Sequence, residues 1–212
     1  MKKLLALVLS AVLLVGVLAG CGGGKEAASG EGLEGTWRTE IDMADMINEQ
    51  MAASGMGEFM NISDFSITMV MDIKGDGTYA MTVDKDALAG SMEGVKEDMK
   101  SGVTAYMESM IKEQGLDISV EDAMAASGMS LDDMVDQAFS EEAMDEMTAG
   151  LHIEGQYKAE DGKFYTSGSV DEAPSDNYES YTLDGDTLTL DAGSTDVPSE
   201  MEAFLPLVFT RA

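Results

Sequence analysis

The sequence of 212 residues predicts an α+β fold, mainly an antiparallel eight-stranded β-barrel with a helical insertion between strands. Three observations carry this expectation. First, the pairs Asp76-Gly77, Asp161-Gly162 and Asp184-Gly185 each stand between runs of alternating apolar and polar residues, the strongest short-range hairpin signal. Second, residues 85–149, between the first and second pairs, change their apolar period from two to about 3.6. Third, two more strand-like runs flank the hairpins, Thr36–Ile41 and Leu205–Arg211, bringing the strands to eight. Eight strands with one apolar face can close a barrel and so remove exposed edges, with a sandwich of two sheets as the alternative.

The N-terminal segment has a different logic. Lys2 and Lys3 precede Leu4–Leu18, an apolar run interrupted only by Ser10 and Gly16. It falls short of the roughly 20 residues that span a bilayer, and reads as the apolar region of a signal peptide. Leu18-Ala19-Gly20-Cys21 then resembles the lipobox of bacterial lipoproteins. The resemblance implies removal of residues 1–20, a diacylglyceryl thioether on Cys21 and a membrane anchor on the extracytoplasmic face of the bacterial cell envelope. Two acyl chains hold where one does not. An uncleaved membrane helix, or a secretory signal with an incidental cysteine, would export the chain as well. Cys21 is the only cysteine, so its lipidation leaves no thiol for a disulfide or for redox chemistry.

Residues 21–34 follow as the lipidated cysteine and a flexible tether rich in Gly, Ala and Ser, with a reach of about 20 Å. That exceeds twice the Debye length of about 8 Å at physiological salt. The remaining residues, 35–212, form the expected barrel domain, with the helical insertion 85–149 inside it.

Each element of that domain has its own local reason. A short helix over Asp42–Ala53 follows the first strand. In the first hairpin Phe65, Ile67, Met69, Met71 and Ile73 share a face, answered by Tyr79, Met81 and Val83. Leu88, Met92, Val95, Met99, Val103, Met107 and Ile111 then step by three or four along one helical stripe. Ser119, Ser130 and Ser140 each precede an acidic cluster and predict the N-caps of three shorter helices. Leu151, Ile153, Tyr157 and Ala159 alternate into Phe164 and Thr166, and Tyr181 and Leu183 pair with Leu188 and Leu190. Pro206 is acceptable near the start of the last strand. The hexapeptide Met-Ala-Ala-Ser-Gly-Met occurs at 51–56 and 124–129 without similar flanks, which fits two alike helix ends rather than a duplication.

Gly35-Thr36-Trp37 opening the first strand and Arg211 in the last resemble the signature of the lipocalin-like, or calycin, barrels. The resemblance implies that Trp37, the single tryptophan, sits at the closed end of the barrel under Arg211, a cation-π contact worth about 0.5 to 2 kcal/mol. It also implies an apolar small molecule or lipid as ligand. The helical insertion and the lack of a disulfide depart from the lipocalin plan. Two interiors stay open: a hollow one, or one filled by Phe65, Met69, Met71, Tyr79, Met81, Phe164, Tyr181 and Phe209.

Composition limits the function classes. With 41 acidic and 12 basic side chains, a net charge of -29, there is no basic footprint for nucleic acid. At 44% apolar residues the chain can bury a core. His152, the one histidine, falls on the polar side of a strand, and no nucleophile elbow, zinc-protease, Walker or dinucleotide motif occurs, so a non-catalytic role is expected. No cofactor and no metal are expected. Asp72–Gly77 starts like an EF-hand loop, but Lys74 takes a ligand position and Val83 replaces the bidentate glutamate. Pairs such as Met43 with Met46 and Met69 with Met71 could hold copper(I), yet their spacing is that of packing positions. The expected function is that of a membrane-anchored lipoprotein binding an apolar small molecule or lipid in its barrel. The alternative is a cell-envelope protein-interaction module with a solid barrel and a methionine-rich helical contact surface.

Overall fold

The structure, a computed structural model, describes residues 32–126, 128, 130–149, 151–194 and 204–212. Eight antiparallel strands close into a barrel in the order of the chain: β1 Gly35–Asp42, β2 Ser66–Ile73, β3 Thr78–Val83, β4 Ile153–Glu160, β5 Lys163–Thr166, β6 Tyr178–Asp184, β7 Thr187–Asp191 and β8 Leu207–Arg211. The barrel, not the sandwich, is therefore the fold. Closure is made by β8 against β1, with Trp37 opposite Arg211 and Arg38 opposite Thr210. The last strand begins at Leu207, one residue after Pro206, whose missing N–H cannot enter the ladder. The chain divides into two compact units. One holds the barrel, up to Ile41 and then Thr68–Asp84 and Thr148–Ala212; the other holds Asp42–Ile67 and Lys85–Met147.

The three Asp-Gly pairs all mark hairpins, but they build different turns. Between β4 and β5, Glu160 faces Lys163 across Asp161 and Gly162, both at positive φ, the tight turn that matches the strand twist. Between β6 and β7 the tight pair is Gly185-Asp186, one residue later than expected, because Asp184 still pairs with Thr187. The first hairpin is wider: Lys74 N–H donates to Thr78 O, Gly77 N–H to Lys74 O, and Gly77 takes φ +84. Asp76 accepts from the Thr78 amide and hydroxyl, which holds its carboxyl below the usual range.

Alternation along the strands sorts side chains into a barrel core of Leu33, Trp37, Met71, Ile73, Tyr79, Tyr157, Ala159, Phe164, Leu188, Leu190 and Phe209. Of the eight large side chains expected inside, Met71, Tyr79, Phe164 and Phe209 join this cluster, Met81 and Tyr181 pack against it half-buried, and Met69 is buried elsewhere on β2. Phe65 is buried too, but in the helical unit.

That unit contains α1 Ala44–Ala53, α2 Lys85–Glu113, α3 Val120–Ala126, α4 Leu131–Ala138 and α5 Glu141–Ala149, whose last two residues fall in the barrel unit's segment. Each expected cap forms. Ser119, Ser130 and Ser140 hydroxyls accept from the amides of Asp122, Asp133 and Ala143, and at Ser130 the backbone N–H donates in turn to the Asp133 carboxylate. The repeated hexapeptide ends α1 and α3 alike, with Gly55 and Gly128 at positive φ. Helix α2 ends in the same manner, Leu116 N–H reaching Ile111 O and Gly115 N–H reaching Lys112 O.

The apolar stripe of α2 is not uniformly covered. Leu88, Met92 and Val95 are buried, whereas Met99, Val103, Met107 and Ile111 are only half-buried. Along the helix runs the irregular segment after α1, in the opposite direction. Ser66 N–H donates to Ser91 Oγ, Ser63 donates twice to Asp98, Met60 lies against Gly102, and Phe59 meets Tyr106 edge-on. Asn48 of α1 holds this segment from its other side, donating to Ile62 O and accepting from Ile62 N–H at 2.8 and 2.7 Å. One side-chain amide thus does for Ile62 what a neighbouring strand would do.

Candidate functional site

The seam where β8 pairs with β1 carries the indole of Trp37, which is fully buried and donates from Nε1 to Leu33 O at 2.7 Å. The Arg211 guanidinium lies 4.1 Å from the centre of the indole. Its edge is equally committed: Nη1 donates to Glu34 O and Nη2 to Gly32 O, both at 2.7 Å, and Nε to the Asp186 carboxylate at 3.1 Å. A planar five-donor fork suits such a set, which an ammonium could not reproduce. Gly35 allows the approach twice over. Its φ is +137, and a Cβ there would stand 2.5 Å from Nη1 of Arg211. The structure thus brings Gly35, Trp37 and Arg211 into one assembly, and the donors and the π-face are turned to holding the chain.

Further along the interior, Tyr157 and Phe164 stack at 5.4 Å between ring centres, and Tyr79 and Tyr181 each meet Phe164 edge-on at 6.4 Å. The two buried phenols are satisfied by backbone. Tyr79 donates to Ser167 O at 3.0 Å and Tyr157 to Lys74 O at 3.1 Å. Burial pushes Tyr79 up to about 12, the Thr166 hydroxyl opposing this and Glu179 adding to it; burial, then Glu34 and Asp76, raises Tyr157. Ser167 itself is fully buried. Its hydroxyl accepts from Gln156 N–H and donates to Ser169 O, and its amide donates to Gln156 O. Gly155 makes room for this knot, since a Cβ there would run into Ser167 O and sit 2.8 Å from the Tyr79 ring. Among the described residues no buried side-chain N or O lacks a hydrogen bond.

The processing residues Leu18, Ala19, Gly20 and Cys21 lie outside the described residues. His152 is exposed and stands 3.3 Å from the Glu154 carboxylate on the same strand edge. Among the described residues no group of three or more His, Cys, Asp or Glu side chains converges, and no helix is long and apolar enough to cross a membrane. Sequence reasoning missed the Ser167–Gly155–Tyr79 knot, the Asn48 clamp and the close approach at Gly102. Only the isolated glycines, at a strand centre and a helix centre, could have signalled two of them. No protein-family model, curated protein or solved structure matches the chain.

Proposed function

We propose that the protein is a lipid-anchored, extracytoplasmic interaction module of the bacterial cell envelope, in which the barrel is a filled scaffold and the helical unit carries the contact surface. One observation carries this reading: Trp37, Met71, Tyr157, Phe164, Leu188 and Phe209, each at most 2% exposed, occupy the barrel core themselves. An apolar molecule held there would have to displace aromatic side chains that already stack on one another, against the cost of repacking a dense core. The anchor rests on the Leu18–Cys21 motif and on the tether that follows it.

Two measurements test the two halves of the proposal. Native mass spectrometry of the exported chain should give the same mass as the denatured polypeptide. A stoichiometric excess lost on denaturation would restore the small-molecule binder. Metabolic labelling with a radioactive fatty acid should mark the wild-type chain and leave Cys21→Ser unlabelled; an unlabelled wild type would remove the anchor.

A further inference from the structure

The reading above leaves the contact surface unspecified, and the inference that follows rests on it. Among the described residues six large apolar side chains are exposed, and four of them, Tyr106, Met110, Leu116 and Ile118, fall in one short stretch at 40 to 48% exposure. Singly scattered residues of this kind need no explanation, but a cluster marks an interaction surface. Tyr106 and Met110 are one helical turn apart on α2, and Leu116 is turned back towards the helix end by its bond to Ile111 O. Val103, Met107 and Ile111, beside them on the helix, are only half-buried, so Tyr106 and Met110 extend an incompletely covered apolar stripe to about 140° of the circumference of α2. A stripe of that width ordinarily faces other protein.

Its surroundings state which partner would cover it. Glu113, Asp117, Glu121 and Asp122 are exposed and adjoin the four side chains along the chain, and Lys112 is the one basic residue between Ser101 and Ser130. Three of the helical unit's four lysines, Lys85, Lys96 and Lys100, are already bridged to carboxylates within it. Tyr106 is held edge-on to Phe59 at 5.4 Å, which makes it a fixed anchor, while Met110 and Met107 are side chains that repack to different shapes. We infer that the C-terminal half of α2 and its exit loop, Tyr106 to Ile118, bind an amphipathic helix of a partner protein. The partner's apolar face would cover Tyr106, Met110, Leu116 and Ile118, and its Lys- or Arg-rich flank would meet the four carboxylates.

The test uses the full chain in phosphatidylcholine nanodiscs, with empty nanodiscs as the blank, and a fluorescent leucine/lysine peptide of about five helical turns as the probe. Anisotropy should report saturable binding that weakens as salt rises. Affinity should fall about tenfold or more for a scrambled peptide of the same composition, and likewise for the Tyr106→Ser/Met110→Ser variant. Ile118→Ser, in the exit loop, provides a second variant should the first lose its far-UV dichroism. Equal binding of the scrambled peptide, equal binding by both variants, or no binding at all would overturn the inference. These failures are separate from failure of the interaction-module reading, which an excess native mass would signal with the peptide result unchanged.

Discussion

The barrel unit and the helical unit use different side chains for the same task. Nine of the thirteen aromatic residues lie in the barrel segments, where most are buried and four of them stack or meet edge-on around Phe164. Fourteen of the nineteen methionines lie in the helical segments, which also carry 21 acidic against 4 basic side chains. Rigid rings with few rotamers specify one packing, and hydrogen-bonded phenols fix it further. Unbranched thioethers fill irregular gaps at little strain and tolerate rearrangement. The division teaches that this chain spends its shape-specifying residues on the scaffold and its adaptable ones on the part that we propose makes contact.

The contrast is most exposed to refutation at Trp37. Replacing it by alanine removes a fully buried indole, its bond to Leu33 O and the surface on which Arg211 lies. A loss of about 3 to 5 kcal/mol is expected in urea unfolding followed by far-UV circular dichroism. A variant within about 0.5 kcal/mol of wild type, the scale of a surface substitution, would mean that this seam is not what holds the barrel shut.

Alkaline unfolding gives the next largest effect. Tyr79 titrates near 10.0 when unfolded and at about 12 in the barrel. The raised folded value means that its contribution is complete below pH 10 and is lost as pH rises from 10 towards 12. Two units correspond to about 2 to 3 kcal/mol. Tyr79→Phe should flatten this part of the stability profile, Tyr157 supplying what slope remains. Parallel profiles for wild type and variant would assign the alkaline loss to other groups.

These elements were unequally legible in the sequence. Strands and caps depend on residues two to four apart, so alternation around Asp76, Asp161 and Asp184, and serines ahead of acidic clusters, locate them well. The pairing of Trp37 with Arg211 joins the two ends of the described chain and came only through resemblance. What stayed hidden depends on distant partners without a pattern. Residues 54–64 have no periodicity, and their place is set by Asn48, Asp98 and Gly102. The stripe of α2 reads the same along its whole length, yet its burial fades after Val95, because periodicity records which face is apolar and not whether anything covers it. The same limit applied inside the barrel, where alternation showed which residues face in but not that Tyr79, Tyr157 and Tyr181 pack on Phe164.

Asn48→Ala should sharpen this at the helical unit. It deletes both bonds to Ile62, leaving a backbone donor and acceptor without their partner, at a cost of about 1 to 2 kcal/mol. Hydrogen exchange at Ile62 should accelerate more than at the α2 amides around Val95. Uniform acceleration across the unit would mean that the clamp supports the whole unit rather than one segment.

The smallest effect separates two glycines of α2 that the sequence presents as equivalent defects, each about 1 kcal/mol worse than alanine in a helix interior. Gly90 is exposed, and a Cβ there would meet nothing within 4 Å. Gly90→Ala should therefore stabilise by about 0.5 to 1 kcal/mol, mostly by restricting the unfolded chain. At Gly102 a Cβ would stand 2.8 Å from Phe59 O and 3.1 Å from Met60 Cα. Because those are backbone atoms, they can yield only by moving the segment that Asn48 holds, so the gain in helix propensity should be cancelled or reversed. Gly90→Ala should raise the thermal unfolding midpoint, and Gly102→Ala should leave it unchanged or lower it. If Gly102→Ala gains as much as Gly90→Ala, the segment after α1 does not lie against the helix at Gly102.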